Sequence, residues 1–123
     1  MGGPGLVRAL EQMHARPAER WTVAALARIA GMSRAVFARK FAAAFGATPL
    51  QHLHDERMER AAARLAESNE PLALVARGVG YESEWAFNRA FKRHHGVAPG
   101  VFRRRLSAAP LAMPARPRMS LAA

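Results

Sequence analysis

The side chains best suited to recognition chemistry lie in two short segments of the chain. One segment carries Arg34 and Arg39, and the other carries Asn88, Arg89 and Lys92. An arginine guanidinium donates paired hydrogen bonds to the O6 and N7 atoms of guanine, and a carboxamide pairs with adenine in a similar way. Lysine and arginine also neutralise phosphate groups. Both segments therefore carry the groups that suit binding to a nucleic acid.

The two segments are copies of one pattern, which is repeated at an offset of about fifty residues. Before the turn, Ala27 and Gly31 match Ala76 and Gly80; after it, the matched pairs are Ser33 and Ser83, Phe37 and Phe87, Arg39 and Arg89, Phe41 and Phe91, Gly46 and Gly96, and Pro49 and Pro99. The alanine and glycine let two helices cross closely, and the phenylalanines anchor the second helix from behind. Each copy therefore predicts a helix-turn-helix unit.

Hydrophobic periodicity and capping residues predict an all-α fold with seven helices. They are expected over residues 4–15, 23–30, 34–45, 49–67, 71–78, 83–94 and 99–106. Thr22, Ser33 and Thr48 are suited to cap three of them. The longest helix would span roughly 28 Å at 1.5 Å per residue. Leu50 near its start and Leu106 in the last helix are expected to face inward.

These elements predict two helix-turn-helix subdomains joined by a long linker helix. Residues 1–5 are expected to be a flexible N-terminus and residues 6–47 the first subdomain. Residues 48–68 would form the linker helix, residues 69–106 the second subdomain, and residues 107–123 a disordered tail. The tail carries three prolines and no helical periodicity.

Charge and composition narrow the possible partners of the chain. Lys and Arg outnumber Asp and Glu by 19 to 9, which gives a net charge of +10. From Thr22 to His54 there are four basic residues and no acid, and from Trp85 to the end there are eight basic residues and no acid. This segregation is expected if two regions of the chain touch phosphate. There is no cysteine, which excludes disulfides and thiolate metal sites and is compatible with a cytoplasmic location. No apolar run approaches the ~20 residues of a membrane span.

Metal, cofactor and catalytic sites are not expected. The pairs His52 and His54, and His94 and His95, have the wrong spacing for chelation from one helix, where ligands stand at i and i+4. There is also no glycine-rich phosphate loop and no elbow around a nucleophilic serine. The sequence therefore predicts a binding protein rather than an enzyme.

The segments WTVAALARIAGMSRAVFARKFAAAFGATPLQHL and GYESEWAFNRAFKRHHGVAPGVFR resemble the two helix-turn-helix motifs of AraC/XylS-type transcription regulators. The resemblance covers residues 6–106. It implies a seven-helix domain that places one recognition helix in each of two adjacent major grooves of double-stranded promoter DNA. RNA polymerase is a further possible partner. In this family the domain usually follows an effector-binding or dimerisation domain, which is expected to be absent from this chain.

The resemblance also implies which residues face the bases. They are Arg34, Ala35, Ala38 and Arg39 in the first unit, and Glu84, Trp85, Asn88 and Arg89 in the second. The two alanines can at most touch a thymine methyl group, and Glu84 either accepts a hydrogen bond from cytosine or repels phosphates. Trp85 is expected to face outward and to pack either on DNA or on the protein. For the arginines, the alternative to base contact is a phosphate contact or a surface salt bridge.

The predicted phosphate contacts surround these positions. They are Ser33, Lys40, Ser83, Lys92, Arg93, Arg103 and Arg104. Two other functions remain open: a basic helical module that binds membranes or RNA without sequence preference, and a protein-interaction domain that uses the more acidic middle of the chain. Specific DNA binding is the function that the repeated pattern favours over both.

Overall fold

The computed structural model describes residues 3–108, and within this range the chain forms seven helices and no strand. The helices are α1 (Gly3–Ala15), α2 (Val23–Ala30), α3 (Arg34–Phe45), α4 (Pro49–Glu67), α5 (Leu72–Gly78), α6 (Glu84–His95) and α7 (Pro99–Ala108). The predicted all-α fold is confirmed, and the helices begin and end close to the predicted residues. None of these helices is long and apolar enough to cross a bilayer.

Side-chain caps determine where four of the helices begin. The hydroxyl groups of Thr22, Ser33, Thr48 and Ser83 each accept a hydrogen bond from the backbone N–H three residues further on, at 3.0–3.2 Å. Each bond satisfies a donor that the first turn of a helix would otherwise leave unpaired. Gly31 ends α2 in the left-handed conformation at φ 73°, which glycine adopts without steric cost. The turn between α2 and α3 is therefore encoded locally.

The first lobe packs α1, α2 and α3 around one hydrophobic core. Phe37 and Phe41 of α3 are fully buried, and their rings lie 5.6 Å apart. The rest of this core is contributed by Leu6, Ala9, Met13, Leu26, Ala27, Ala30 and Leu53. Leu53 belongs to α4, so the start of the long helix is part of the first lobe.

The second lobe repeats this packing with α5, α6 and α7. Phe87 and Phe91 of α6 are fully buried, with ring centroids 5.7 Å apart. They pack against α5 and against the C-terminal half of α4, and the core residues are Met58, Ala61, Leu65, Val75, Ala76, Val79, Phe87 and Phe91. The long helix α4 is thus shared by both cores and is more than a connecting segment.

Polar contacts add to this arrangement on both sides of α4. The Arg57 Nε donates to the Pro17 carbonyl oxygen at 2.7 Å, and its Nη2 donates to the Glu19 carbonyl oxygen at 2.9 Å. The same guanidinium lies over the Tyr81 ring, 5.9 Å from its centroid. Arg57 therefore touches the loop of the first lobe and the turn of the second at once. Burial lowers the pKa of Arg57 and raises that of Tyr81.

Two parts of the predicted organisation differ from the structure at the ends of helices. Residues 3–5 form the first turn of α1 instead of a flexible segment, because Gly5 is buried against the backbone of Ala30. Leu50 and Leu106 were expected to face inward, but they are 46% and 45% exposed. Both lie within a turn or so of a helix end, where the apolar face of the helix extends beyond the core. Of the predicted tail, residues 109–123 lie outside the described residues.

Candidate nucleic-acid interface

The outer face of α3 carries the first group of predicted base-reading residues. Arg34, Ala35 and Arg39 are exposed, and Ala38 is half-buried. Their outward position follows from the burial of Phe37 and Phe41, which turns the opposite side of the helix to solvent. The only groups at these four positions that can hydrogen-bond a base are the two guanidinium groups.

The outer face of α6 is better equipped, because an aromatic ring stands beside its arginine. Glu84, Trp85 and Arg89 are exposed, and Trp85 is 67% exposed despite its large apolar ring. The Arg89 guanidinium carbon lies 4.8 Å from the centre of that ring. This is the geometry of a cation–π contact between residues one helical turn apart. The expected outward orientation of Trp85 is confirmed, and the ring supports the arginine predicted to read a base.

Asn88 differs from its neighbours on α6. Its side chain is half-buried, and its Oδ1 is buried with no hydrogen-bond partner among residues 3–108. Paired recognition of adenine needs both the amide oxygen and the amide nitrogen. In this rotamer Asn88 cannot present both atoms, so adenine recognition would require rotation of the side chain.

The predicted phosphate-binding residues border the two recognition faces. Lys40, Lys92, Arg93 and Arg104 are exposed. The hydroxyl groups of Ser33 and Ser83 accept bonds from their own helices, which leaves each O–H free to donate to a phosphate oxygen.

Arg103 has a different position from the one that the sequence suggests. Its Nε donates to the Leu65 carbonyl oxygen at 3.2 Å, and its Nη1 donates to the Glu70 carbonyl oxygen at 2.7 Å. Its Nη2 is also buried. The guanidinium therefore ties α7 to the end of α4 and is directed away from solvent. We accordingly leave Arg103 out of the phosphate contacts proposed below.

The contacts that join the two lobes could not be predicted from the sequence. Arg57 bridges the lobes as described above, and Arg20 of the first lobe forms an exposed ion pair with Glu82 in the turn before α6. Glu82 is the single residue by which the second turn exceeds the first. No local pattern links these residues, since their partners are far apart in the chain.

A cluster of ionisable groups lies between α4 and α6. His54, Asp55 and His94 each offer a ligand atom, and these atoms lie within 4.8 Å of one another. Burial, followed by the charge of His94, lowers the pKa of His54. The i and i+4 spacing rule applies to ligands on one helix, whereas these histidines meet across two helices.

The structure has two helix-turn-helix lobes on a shared helix, and the second helix of each lobe has an exposed, basic face. This arrangement defines a double helix-turn-helix DNA-binding domain. Residues 26–105 match the family model of a helix-turn-helix domain. The chain belongs to the AraC-type family of helix-turn-helix transcription regulators.

Similar proteins of known sequence and structure support this assignment. A protein described as an AraC-like transcription regulator from Streptomyces antibioticus is 43% identical over 104 residues, covering 85% of this chain and 34% of the relative. The transcriptional activator RclR of Escherichia coli K12 is 42% identical over 103 residues, covering 84% and 36%. The chain thus spans about a third of the length of these relatives.

A solved structure matches nearly the whole fold. The DNA-binding domain of AdpA, determined in complex with a target DNA, superposes with a TM-score of 0.79 at 30% identity. The match covers 84% of this chain and 95% of that domain.

Proposed function

We propose that this chain binds promoter DNA in a sequence-specific manner by inserting α3 and α6 into adjacent major grooves. The observation that carries the proposal is the pair of exposed recognition faces held on one helix, α4, that contributes to both cores. A helix of 19 residues is roughly 28 Å long. Successive major grooves on one face of B-DNA recur about every 34 Å, a distance that α4 and its flanking turns can span.

In this proposal, base recognition is unequal between the two lobes. Arg89 reads guanine from a position supported by Trp85, whose ring is also free to pack on a sugar or a thymine methyl group. Glu84, at the start of α6, either accepts a hydrogen bond from particular bases or disfavours other bases. In the first lobe, Arg34 and Arg39 are the readers. Ala35 and Ala38 contribute only close approach and methyl contact.

The remaining exposed cations bind the phosphate backbone. Lys40, Lys92, Arg93 and Arg104 are exposed around the two faces, and Ser33 and Ser83 donate from the starts of the recognition helices, where the helix dipole also favours an anion. These contacts set orientation and affinity without reading sequence. The proposed setting is the bacterial cytoplasm, with RNA polymerase as a further partner.

Selection of binding sites from random DNA tests the proposal, followed by measurement of affinity for the selected site and for scrambled DNA at ~150 mM salt. We expect a preference of at least about 10³-fold. We also expect two conserved blocks about one helical turn apart. Equal affinity for both DNAs would refute specific binding, and a single short block would refute engagement by both lobes.

A further inference from the structure

Two histidines that face each other between α4 and α6 belong to different helices. His54 lies on the linker helix and His94 in the last turn of the second recognition helix. Their rings meet edge to face, with centroids 5.4 Å apart. Asp55 lies beside them, and its Oδ1 is 3.8 Å from the His94 Nδ1. All three side chains are half-buried, so they are held by packing but remain accessible to a small ion.

The outer nitrogens of both imidazoles also have neighbours. The Tyr81 hydroxyl lies 3.4 Å from the His54 Nδ1, which leaves the His54 Nε2 available. The Glu59 carboxylate lies 3.9 Å from the other ring nitrogen of His94, Nε2. Histidines that bind metals commonly place the second ring nitrogen against a carboxylate or another polar group, which fixes the ring and its tautomer.

We propose that His54, Asp55 and His94 form a binding site for one divalent transition-metal ion of the Zn²⁺ class. Two imidazole nitrogens and one carboxylate are a ligand set that suits such an ion, and water completes its coordination. At metal–ligand distances of about 2.0–2.2 Å, neighbouring ligand atoms of a tetrahedral site are about 3.3 Å apart. The observed separations are at most 4.8 Å, so binding would require the side chains to move closer by up to about 1.5 Å.

Charged side chains of both signs surround the site. Arg57 of α4 and Arg93 of α6 act on His54, together with His94 and Asp55. Asp55 and Glu59 face His94 and oppose the positive charge of the two arginines. The site is therefore not a purely acidic patch, and it favours a metal that prefers nitrogen ligands over Ca²⁺ or Mg²⁺.

Occupation of the site would join the recognition helix to the linker helix by coordinate bonds. His94 follows the exposed Lys92 and Arg93 at the end of α6, whereas His54 follows Leu53 of the first core. A bound ion would thus reduce local opening of the α4 and α6 contact and hold the second lobe in place relative to the first.

Titration of metal-free protein with ZnCl₂ in a calorimeter tests the site directly. We expect one equivalent to bind, with at least about tenfold weaker binding in His54→Gln, Asp55→Asn and His94→Gln, because each variant removes a ligand. His14→Ala is the matched control, since His14 is an exposed imidazole (67%) outside the cluster, and it should bind like the unmodified chain. Co²⁺ in place of Zn²⁺ should give the visible absorption of a tetrahedral nitrogen and oxygen site.

A second measurement distinguishes binding at this site from loss of folding. Circular dichroism reports whether each variant keeps its helices, and hydrogen exchange reports whether Zn²⁺ protects the end of α6. The proposal is overturned if the unmodified chain binds no ion, if all three ligand variants bind as it does, or if protection appears elsewhere. Should His94→Gln unfold, Asp55→Asn decides the question alone, because Asp55 is only half-buried and is not a member of either core.

Discussion

Replacement of Trp85 by alanine should weaken base recognition by Arg89. The ring holds the guanidinium 4.8 Å from its centre before any DNA is bound. A cation–π contact at an exposed site is worth about 0.5–1 kcal/mol, and it reduces the rotamer entropy that a free arginine loses on binding. A guanine contact made by arginine is worth about 1–3 kcal/mol. Part of that value should therefore depend on the ring.

A double-mutant cycle on the selected DNA site separates this dependence from any direct contact between Trp85 and DNA. The single variants Trp85→Ala and Arg89→Ala and the double variant are compared by fluorescence anisotropy. We expect a coupling free energy of about 0.5–1 kcal/mol, because the second substitution should cost less once the first has been made. Profiles over single-base changes should show that Arg89→Ala relaxes preference at one position.

The first lobe supplies a matched control for this cycle. Arg39 occupies the position equivalent to Arg89, but Ala35 stands where Trp85 does. The pair Trp85 and Arg39 lies on different helices and should therefore be additive within about 0.3–0.5 kcal/mol. Equal coupling in the two pairs, or none between Trp85 and Arg89, would refute the idea that the ring prepositions the arginine.

Three further predictions concern stability, salt and pH. Arg57→Met should lower the free energy of unfolding by about 2–4 kcal/mol, because it removes two charge-assisted hydrogen bonds to the loop before α2. Urea denaturation measures this loss. A loss below about 0.5 kcal/mol would contradict the bridging role of Arg57. Four cationic phosphate contacts should give a slope of about −3.6 for log K against log salt, and Lys92→Ala should reduce its magnitude by about 1 while weakening all DNA sequences alike. The Arg64 guanidinium bonded to Glu70 holds the pKa of that carboxyl below its ordinary value. The contribution of the ionised Glu70 carboxylate to stability should be present above the ordinary glutamate pKa and be lost as pH falls through the depressed pKa. Thermal unfolding between about pH 6 and 3 should show this loss of stability in the unmodified chain and a smaller loss in Glu70→Gln.

The helices of this fold are predictable because their signals are local. Thr22, Ser33, Thr48 and Ser83 cap helices within three residues of their own positions, and the phenylalanines repeat at helical spacing. The limits of each buried face are not local. Leu50 continues the apolar stripe of α4 in sequence, but neither core extends far enough to cover it. Hydrophobic periodicity identifies the apolar face of a helix, but it does not show how far along the helix a core covers that face.

In the candidate interface, too, some features could be predicted from the sequence and others could not. The exposure of Arg39, Trp85 and Arg89 follows from their phase relative to the buried phenylalanines, and sequence was sufficient to predict it. The orientation of the Asn88 amide and the contacts of Arg103 depend on atoms from other elements. The approach of His54 to His94 depends on the crossing of two helices, and no spacing along the chain encodes it.

The sharing of α4 between both cores has a consequence for how this chain can change in evolution. Leu53 belongs to one core and Met58 to the other, and only four residues separate them. Insertion of one residue there would rotate everything that follows by about 100° and shift it by about 1.5 Å along the axis. In the proposed complex, α6 would then leave the face of the DNA that α3 occupies. The length of α4 between the two cores should therefore tolerate no insertion or deletion.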